Sequence, residues 1–336
     1  MSTATRHPWF ADALARLPGR DEASGAAVHA RAADILRPSG ALRWLDEIAE
    51  WIAGWQHTPM PRIVRPAGLI FAADHGIAAA TKVSAYPTGV TEAMLAAYRQ
   101  GRSTITAFAH LAGATVSALD VGVGRPTGDI RYEAALDPTR FNEVVAAAVA
   151  AVDELDTDLL VLGEMGIGNT TPSAAVAAAL AGGETAAWVG RGTGIDDDGL
   201  ARKRAAVQEA VRRIAGVTDP IEVLREVGGA ELVAIAAAAV AARLRSIPVL
   251  LDGYVVTASV LPLTFVEPTA LDHCTVGHCS AEPGHRKLLE RLGKRPLLDL
   301  DMRLGEGSGA MAAVPLVAMA CAGITDVPTF AEWFGA

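Results

Sequence analysis

Short apolar runs alternate with alanine-rich amphipathic stretches along most of the chain. Six of these runs have the length of a buried strand: residues 68–74, 115–121, 158–164, 186–190, 247–253 and 296–302. The stretches between most of them are long enough to form crossover helices. The pattern therefore predicts right-handed βαβ units and an α/β fold, with a parallel sheet flanked by helices.

Both ends of the chain are predicted to be helical. Residues 8–56 repeat apolar side chains near helical spacing, and the run from Gly307 to Thr325 carries no charge. That run is rich in Gly and Ala and contains Pro315, so we interpret it as a buried helix over about 309–323 and not as a membrane span. This last helix can return to pack on the N-terminal helices.

Acidic residues stand at the ends of four predicted strands. They are Asp74, Asp120, Glu164 and Asp252, each with a glycine close by. Any one of them is an ordinary turn or cap residue. The carboxyl ends of parallel strands lie on one edge of a sheet, where ligands bind, so the four together predict the rim of an active site.

Composition and charge narrow the function classes. The chain has 336 residues, of which 51% are apolar, and its formal net charge of −9 opposes binding to nucleic acid. Three cysteines, an odd number, argue against a disulfide framework and for a reducing compartment. The first residues show no apolar signal-peptide core. We therefore expect a cytoplasmic, globular protein without a membrane or nucleic-acid partner.

The segment from Gly163 to Thr170 is the strongest candidate for a phosphate loop. It follows a predicted strand and opens an alanine-rich helix, where backbone N–H groups can cradle an anion. Its glycine spacing is that of a Walker loop, but Asn169 stands where a lysine would reach a triphosphate. A single phosphate fits better, and a tight turn without ligand is the alternative.

A second glycine-containing loop covers residues 189–194, followed by three aspartates at 196–198 and by Lys203. The aspartates suggest a metal-diphosphate site, but they fit better as caps of the next helix. Lys203 lies about one helical turn further on. It either points back to a phosphate or belongs to a solvated basic face.

Two further segments carry potential chemistry. His273, Cys274, His278 and Cys279, with His285 beyond, are zinc-type ligands, but they lack paired ligand spacing, so we interpret them as ordering an irregular loop without metal. Glu306 lies between glycines before the last apolar helix. An apolar surround would make it a useful base, and a helix cap is the alternative.

Seven segments, taken in order, resemble the nicotinate-nucleotide:dimethylbenzimidazole phosphoribosyltransferase family. They span about residues 65–325 and are FAADHG (71–76), VSAYP (83–87), GEMGIGNTTPSAA (163–175), VGRGTGIDDDGLARKRA (189–205), PVLLDGY (248–254), HCSAEPGHR (278–286) and RLGEGSGA (303–310). The resemblance implies transfer of phosphoribose from nicotinate mononucleotide to 5,6-dimethylbenzimidazole. The product, α-ribazole 5′-phosphate, serves cobalamin nucleotide-loop assembly.

The resemblance also implies an architecture. It predicts a homodimer without metal or other cofactor and a Rossmann-like parallel sheet in a large domain over residues 61–310. A small helical domain would combine residues 1–60 with about 311–336. The alternatives are a different acceptor base on the same fold, a nucleotide-binding sensor, or a kinase, although the Asn169 substitution argues against a kinase.

The same resemblance assigns roles to individual residues. Glu306 matches the general base and Glu164 a second active-site carboxylate. Phosphate and ribose contacts fall on Gly166, Ile167, Gly168, Asn169, Thr170, Gly192 and Lys203. The acceptor-base pocket falls on Asp74, His75, Tyr86, Met94 and Leu304. Tyr86 and Met94 depart from the family, which places a small polar residue and a Gln there, so the acceptor is less firmly predicted than the reaction.

Overall fold

A computed structural model describes residues 7–335, so residues 1–6 and 336 of the predicted small domain lie outside the described part. The strands are β1 Pro66–Ala73, β2 Thr115–Gly122, β3 Leu159–Met165, β4 Val249–Leu251, β5 Cys274–His278 and β6 Pro296–Leu298. The helices of the first half are α1 Pro8–Leu14, α2 Glu22–Asp34, α3 Arg43–Gln56, α4 Gly76–Ala80, α5 Val90–Arg99, α6 Thr104–Ala112 and α7 Pro138–Asp153. Those of the second half are α8 Thr170–Ala181, α9 Asp197–Arg213, α10 Pro220–Val227, α11 Ala230–Leu244, α12 Tyr254–Val266, α13 Pro283–Leu292, α14 Ser308–Thr325 and α15 Phe330–Phe334.

The six strands form one parallel sheet in the order β2-β1-β3-β4-β5-β6, which confirms the predicted α/β class. The chain first moves outward from β1 to β2 and then continues on the other side of β1 with β3. This reversal creates a crevice beyond the carboxyl ends of β1 and β3. In doubly wound sheets such a switch point is where ligands bind.

Alternating side chains of the central strands supply two cores. Leu69 and Phe71 of β1 face one core, and Ile70 and Ala72 face the other. Because both faces are covered by helices, β1 and β3 are buried along their whole length, as their continuous apolar runs predict. The edge strand β2 is buried only at Gly122.

The structure corrects two expectations about strands. Residues 186–190 form no strand; Thr185–Trp188 is a short 3-10 helix that lies outside the sheet, where β4 occupies the position beside β3. Conversely, Cys274–His278 is β5 and not an irregular loop. This segment is short and polar in sequence. It becomes a strand because β4 offers it a hydrogen-bonding edge.

The two chain ends meet on one face of the sheet. Helix α14 packs on α3 and α6 and crosses β5, and Arg31 of α2 forms an ion pair with Glu332 of α15. Helix α1 lies on the opposite face, where Phe10 joins the other core. In residues 7–335, α14 is also the one helix long and apolar enough to cross a membrane. More than half of it is buried, so it is a core helix, as predicted.

Candidate active site

A cavity of about 370 Å³ opens at the carboxyl ends of the central strands. Its floor is the end of β3 and the segment that leads into α14. Its walls are the loop after β3, the segment before and within α5, and the residues after β4 and β5. It is lined by Val83, Ser84, Tyr86, Val90, Met94, residues 164–170, Gly192, Thr193, residues 253–255, His278, Ser280, Glu282 and residues 303–306. A volume of this size suits a small organic ligand.

The predicted phosphate loop forms one wall. Residues 166–169 connect β3 to α8, and Gly168 takes a φ of 87° that other residues rarely adopt. Asn169 is the N-cap, yet its side chain makes no bond to the helix; its Nδ2 donates to Oε2 of Glu164 at 2.5 Å. The first residue of α8, Thr170, lines the cavity, whereas the N–H of Thr171 already donates to the carbonyl of Gly168 at 2.9 Å.

Lys203 lies behind this loop and does not line the cavity. It is fully buried on α9, and its Nζ donates to Oγ1 of Thr170 at 2.6 Å and to the carbonyl of Gly190 at 3.1 Å. Burial lowers the pKa of Lys203 to about 8, against the opposing charge of Glu282. Within residues 7–335, no carboxylate forms an ion pair with it. This buried cation is one hydrogen bond away from the phosphate loop.

Of the three aspartates that precede Lys203, one caps the following helix and the other two lie in its first turn. Asp196 is the N-cap of α9, and its Oδ1 accepts the backbone N–H of Gly199 at 2.7 Å. Asp197 instead pairs with Arg191 at 2.5 Å. Among the residues that the structure describes, no group of three His, Cys, Asp or Glu side chains could hold a metal ion.

Two acidic residues on the cavity floor are linked through the backbone of one of them. The backbone N–H of Glu306 donates to Oε1 of Glu164 at 3.4 Å, and both side chains are more than nine-tenths buried. The close approach depends on Gly163, because a Cβ there would lie 2.8 Å from the carbonyl of Glu306. The glycine of the β3 motif thus allows the segment before α14 to rest directly on the strand.

Burial sets the proton affinity of both carboxylates. It raises the pKa of Glu306, which the Tyr98 hydroxyl lowers and the charge of Asp252 raises further. Burial also holds the pKa of Glu164 well above its usual range, although the hydrogen bond from Asn169 opposes this. A carboxylate with a raised pKa in a largely apolar cavity can accept a proton near neutral pH.

Three of the predicted acceptor residues line the cavity, Tyr86 and Met94 from the α5 wall and Leu304 from the segment that leads into α14. Met94 is partly buried, whereas Tyr86 and Leu304 are 56% and 52% exposed and lie at the cavity mouth. Sequence reasoning overlooked Ser84, which lines the same wall and pairs with Oγ1 of Thr193 at 3.2 Å. This wall therefore retains a hydroxyl despite Met94.

Asp74 and His75 are not among the residues that line the cavity, which corrects their predicted place in the acceptor pocket. Asp74 accepts the N–H of Gly124 at 2.8 Å, as a turn residue does. His75 is buried behind the phosphate loop, where its Nε2 lies 2.5 Å from Oε1 of Glu231. The strand β1 therefore ends near the site, but the two side chains that follow it make other contacts.

The other strand-end acids also differ from the predicted rim. Asp120 accepts the N–H groups of Gly122 and Val123 at 2.9 and 2.8 Å and stays outside the cavity. Asp252 is fully buried under α14. Of the four acids, Glu164 alone lines the cavity, because residues in the same position after a strand can turn either to the crevice or to their own loop.

Most of the histidines and cysteines in residues 273–285 are buried in the fold, and one histidine lines the cavity. His273 binds the carbonyl of Ala239 at 2.8 Å, and His285 joins Thr257 to the N–H of Ser280. Cys274 and Cys279 are buried free thiols. His278, by contrast, lines the cavity beside Asp252. His273 and His285 therefore order the structure around the site, and His278 belongs to the site itself.

Sequence reasoning overlooked most of the cavity residues that follow β5 and the arginine that precedes Leu304. His278, Ser280, Glu282 and Arg303 line the cavity, although the sequence pattern alone indicates other roles for their segments. Glu282 accepts the N–H of Gly192 at 2.9 Å and so fixes the second glycine-containing loop. The signal that could have found these residues is the position of HCSAEPGH directly after a sheet strand.

Comparison with known proteins agrees with this geometry. A family model described as a phosphoribosyltransferase matches residues 17–333. The nicotinate-nucleotide–dimethylbenzimidazole phosphoribosyltransferase of Methylocella silvestris is 47% identical over 320 residues, which cover 95% of this chain and 93% of the relative. The enzyme of the same name from Mesorhizobium japonicum is 46% identical over 317 residues, covering 94% of each chain.

Solved structures agree as well. The crystal structure of CobT from Thermus thermophilus is 40% identical and superposes with a TM-score of 0.88, covering 93% of this chain and 98% of that one. The match in sequence, in fold and over almost the whole length leads to one assignment. The chain belongs to the nicotinate-nucleotide–dimethylbenzimidazole phosphoribosyltransferase family.

Proposed function

We propose that this chain transfers phosphoribose from nicotinate mononucleotide to 5,6-dimethylbenzimidazole, as the names of its relatives state, with Glu306 as the proton acceptor. The enzyme is a pentosyltransferase of cobalamin synthesis. One observation carries the assignment of the site: a buried carboxylate with a raised pKa stands at the floor of a cavity whose wall is a phosphate loop.

The reaction needs a base more than an acid. The bond between C1′ and the pyridinium nitrogen breaks, and its electron pair neutralises the ring, so nicotinate leaves without protonation. One benzimidazole nitrogen forms the new bond to C1′ while the other nitrogen releases its proton to Glu306. Attack opposite the leaving group converts the β-nucleotide into an α-product.

Glu164 and the phosphate loop complete the proposed roles. The carboxyl group of Glu164 accepts the backbone N–H of Glu306 and the side-chain N–H of Asn169, so it ties the segment that carries the base to the phosphate loop. The loop of residues 166–170 and Gly192 line the phosphate end of the cavity. The N–H of Gly192 donates to Glu282 and that of Ile167 to Oγ1 of Thr91, and Lys203 supports the loop from behind through Thr170. Holding the phosphate converts remote binding energy into orientation of C1′.

The direct test is turnover by the unmodified enzyme. Nicotinate mononucleotide and dimethylbenzimidazole are incubated with the protein, and nicotinate and α-ribazole 5′-phosphate are separated by chromatography and counted. We expect equal amounts of the two products. Nicotinate release that does not depend on the aromatic base would instead indicate a hydrolase, and no release would refute the proposed function.

We expect modest discrimination among acceptor bases. Met94 offers polarisable apolar surface where an amide would single out one ring, and apolar contacts separate analogues by only about 1–3 kcal/mol per methylene. The enzyme should therefore accept unsubstituted benzimidazole with a small loss. A purine or a phenol remains an alternative acceptor.

Competition between two bases in one reaction measures this preference as a product ratio. We expect Met94→Gln to shift the ratio between dimethylbenzimidazole and benzimidazole, and Met60→Gln, on an exposed residue away from the cavity, to leave it unchanged. A ratio that is the same in wild type and Met94→Gln would show that this side chain does not touch the acceptor.

Metal removal should leave turnover intact. The proposed leaving group and base require no Lewis acid, and the described residues hold no three-ligand cluster. We expect the rate after exhaustive dialysis against a chelator to equal the untreated rate. Recovery that requires added zinc would point back to His273, Cys274, His278 and Cys279 as ligands.

Three broader expectations belong to the same proposal. Helices α2 and α3 together with α14 and α15 form the small helical unit, in keeping with the contact of α14 with α3 and the ion pair between Arg31 and Glu332, whereas α1 packs on the other face of the sheet. The enzyme is a homodimer, which sedimentation at several concentrations would test. It works in the cytoplasm without a nucleic-acid partner, in line with its net charge of −9.

A further inference from the structure

A fully buried aspartate lies directly beneath the segment that carries Glu306. Asp252 follows β4, and its two carboxylate oxygens accept separate backbone N–H groups: Oδ2 from Gly307 at 3.1 Å and Oδ1 from Ala310 at 2.8 Å. Its side chain does not line the cavity. Asp252 therefore touches the backbone around the base and not the space for substrate.

The segment that Asp252 holds has an unusual backbone. Gly305, Glu306 and Gly307 have successive φ angles of 80°, 64° and 79°. A residue with a side chain, such as Glu306, is costly in this left-handed region and keeps it only when surrounding contacts enforce it. Two contacts do so here: Glu164 accepts the N–H of Glu306, and Asp252 accepts the next N–H along the chain.

Titratable groups approach Glu306 from three elements. Glu164 of β3 accepts its backbone N–H, the Tyr98 hydroxyl of α5 lowers its pKa, and the charge of Asp252 at the end of β4 raises it. Asp252 itself faces His278 of β5, whose Nε2 lies 3.3 Å from Oδ1. The hydrogen bonds and charge of its neighbours keep the pKa of Asp252 low despite burial, so it is ionised when Glu306 must accept a proton.

We propose that Asp252 is a positioning residue for the transfer reaction: it fixes the left-handed turn that presents Glu306 and places a negative charge behind that carboxylate. The inference rests on the proposed role of Glu306 as base. The negative charge disfavours a second ionisation nearby, which strengthens Glu306 as a proton acceptor and raises its pKa.

The test is Asp252→Asn in the full-length enzyme. Asparagine has nearly the same shape, but it keeps one acceptor oxygen for two N–H groups and carries no charge. We expect kcat to fall about 10- to 100-fold, as for a small displacement of a catalytic group, with little change in KM for nicotinate mononucleotide. We also expect the acid limb of the kcat–pH profile to move to lower pH, because Glu306 ionises more easily.

Two variants separate this role from a general loss of structure. Asp120→Asn changes another strand-end carboxylate that accepts two backbone N–H groups, but it lies outside the cavity, and its profile should match wild type. Asp252→Glu retains the charge with a longer side chain. It should lower kcat while its acid limb stays closer to that of wild type than the limb of Asp252→Asn.

The outcomes are distinct. An Asp252→Asn enzyme with unchanged kcat, or with reduced kcat and an unmoved acid limb, would overturn the proposal. So would a protein that is recovered only unfolded by circular dichroism in both Asp252 variants, because Asp252 would then serve the fold as a whole. Failure of the wild-type enzyme to release nicotinate would contradict the proposed function instead.

Discussion

Replacing Glu306 with Gln is expected to slow nicotinate release by about 10²- to 10⁴-fold, the usual contribution of a positioned general base. Gln has the same size and the same backbone cost at a positive φ as Glu, so the turn before α14 can remain in place. It cannot accept the proton that the benzimidazole nitrogen loses. Steady-state kinetics with both substrates saturating measures the effect on kcat.

Binding of the nucleotide should survive this change. The phosphate loop forms a wall of the cavity and Glu306 lies on its floor, so calorimetry should find a Kd for nicotinate mononucleotide close to that of wild type. Glu290→Gln, on the exposed face of α13, provides the matched control and should retain full turnover. Turnover near the wild-type rate in Glu306→Gln would remove Glu306 from the role of base.

The pH dependence of turnover is expected to follow from the ionisation of Glu306. Burial raises the pKa of Glu306, so the base becomes protonated at a pH above the ordinary carboxyl range. Activity should therefore be complete above this raised pKa and decline as the pH falls through it. In Glu306→Gln the remaining activity should lose that acid limb, which a profile measured in one set of overlapping buffers would detect.

How far the sequence predicts the fold depends on the strand. β1 and β3 are long and apolar throughout because helices cover both their faces, and this burial is visible in the residues themselves. β5 is five residues long and begins with Cys and Thr. Its strand character comes from β4 beside it, a neighbour that no local pattern reveals.

Sequence is also limited in predicting which side chains enter the site. Glu164 and Asp252 both stand at the end of an apolar strand with glycine next to them, yet one lines the cavity and the other lies beneath α14. Periodicity fixes which residues end a strand, but the direction of the last side chain depends on what packs above it. For the same reason His75, which follows β1, turns toward Glu231.

Removing the Lys203 side chain is the second change with a large expected effect. Lys203→Ala should weaken nicotinate mononucleotide about 10- to 150-fold, which corresponds to the roughly 1.5–3 kcal/mol of a charge-assisted hydrogen bond. The ammonium holds Thr170 at 2.6 Å and Gly190 at 3.1 Å, so its loss removes both the charge and the support of the phosphate loop. Affinity for the aromatic base should change little.

Measuring nucleotide affinity against pH separates the effect of the Lys203 charge from its structural support of the phosphate loop. Burial lowers the pKa of Lys203 to about 8 in the free enzyme, so the ammonium loses its proton as the pH rises through that value. Bound phosphate favours the charged form. The affinity of wild type for the nucleotide should therefore decline above about pH 8, and Lys203→Ala should lack this decline.

Arg204→Ala, the exposed neighbouring cation on α9, is the control for net charge and should bind the nucleotide as wild type does. If Lys203→Ala weakened nucleotide and aromatic base equally, the residue would be a support for the whole cavity. If it weakened the nucleotide alone but kept the decline above pH 8, another group would be titrating. Selective weakening of nucleotide binding, together with loss of the decline in affinity above pH 8, would show that the positive charge of Lys203 stabilises the bound phosphate. A purely structural support has no proton to lose.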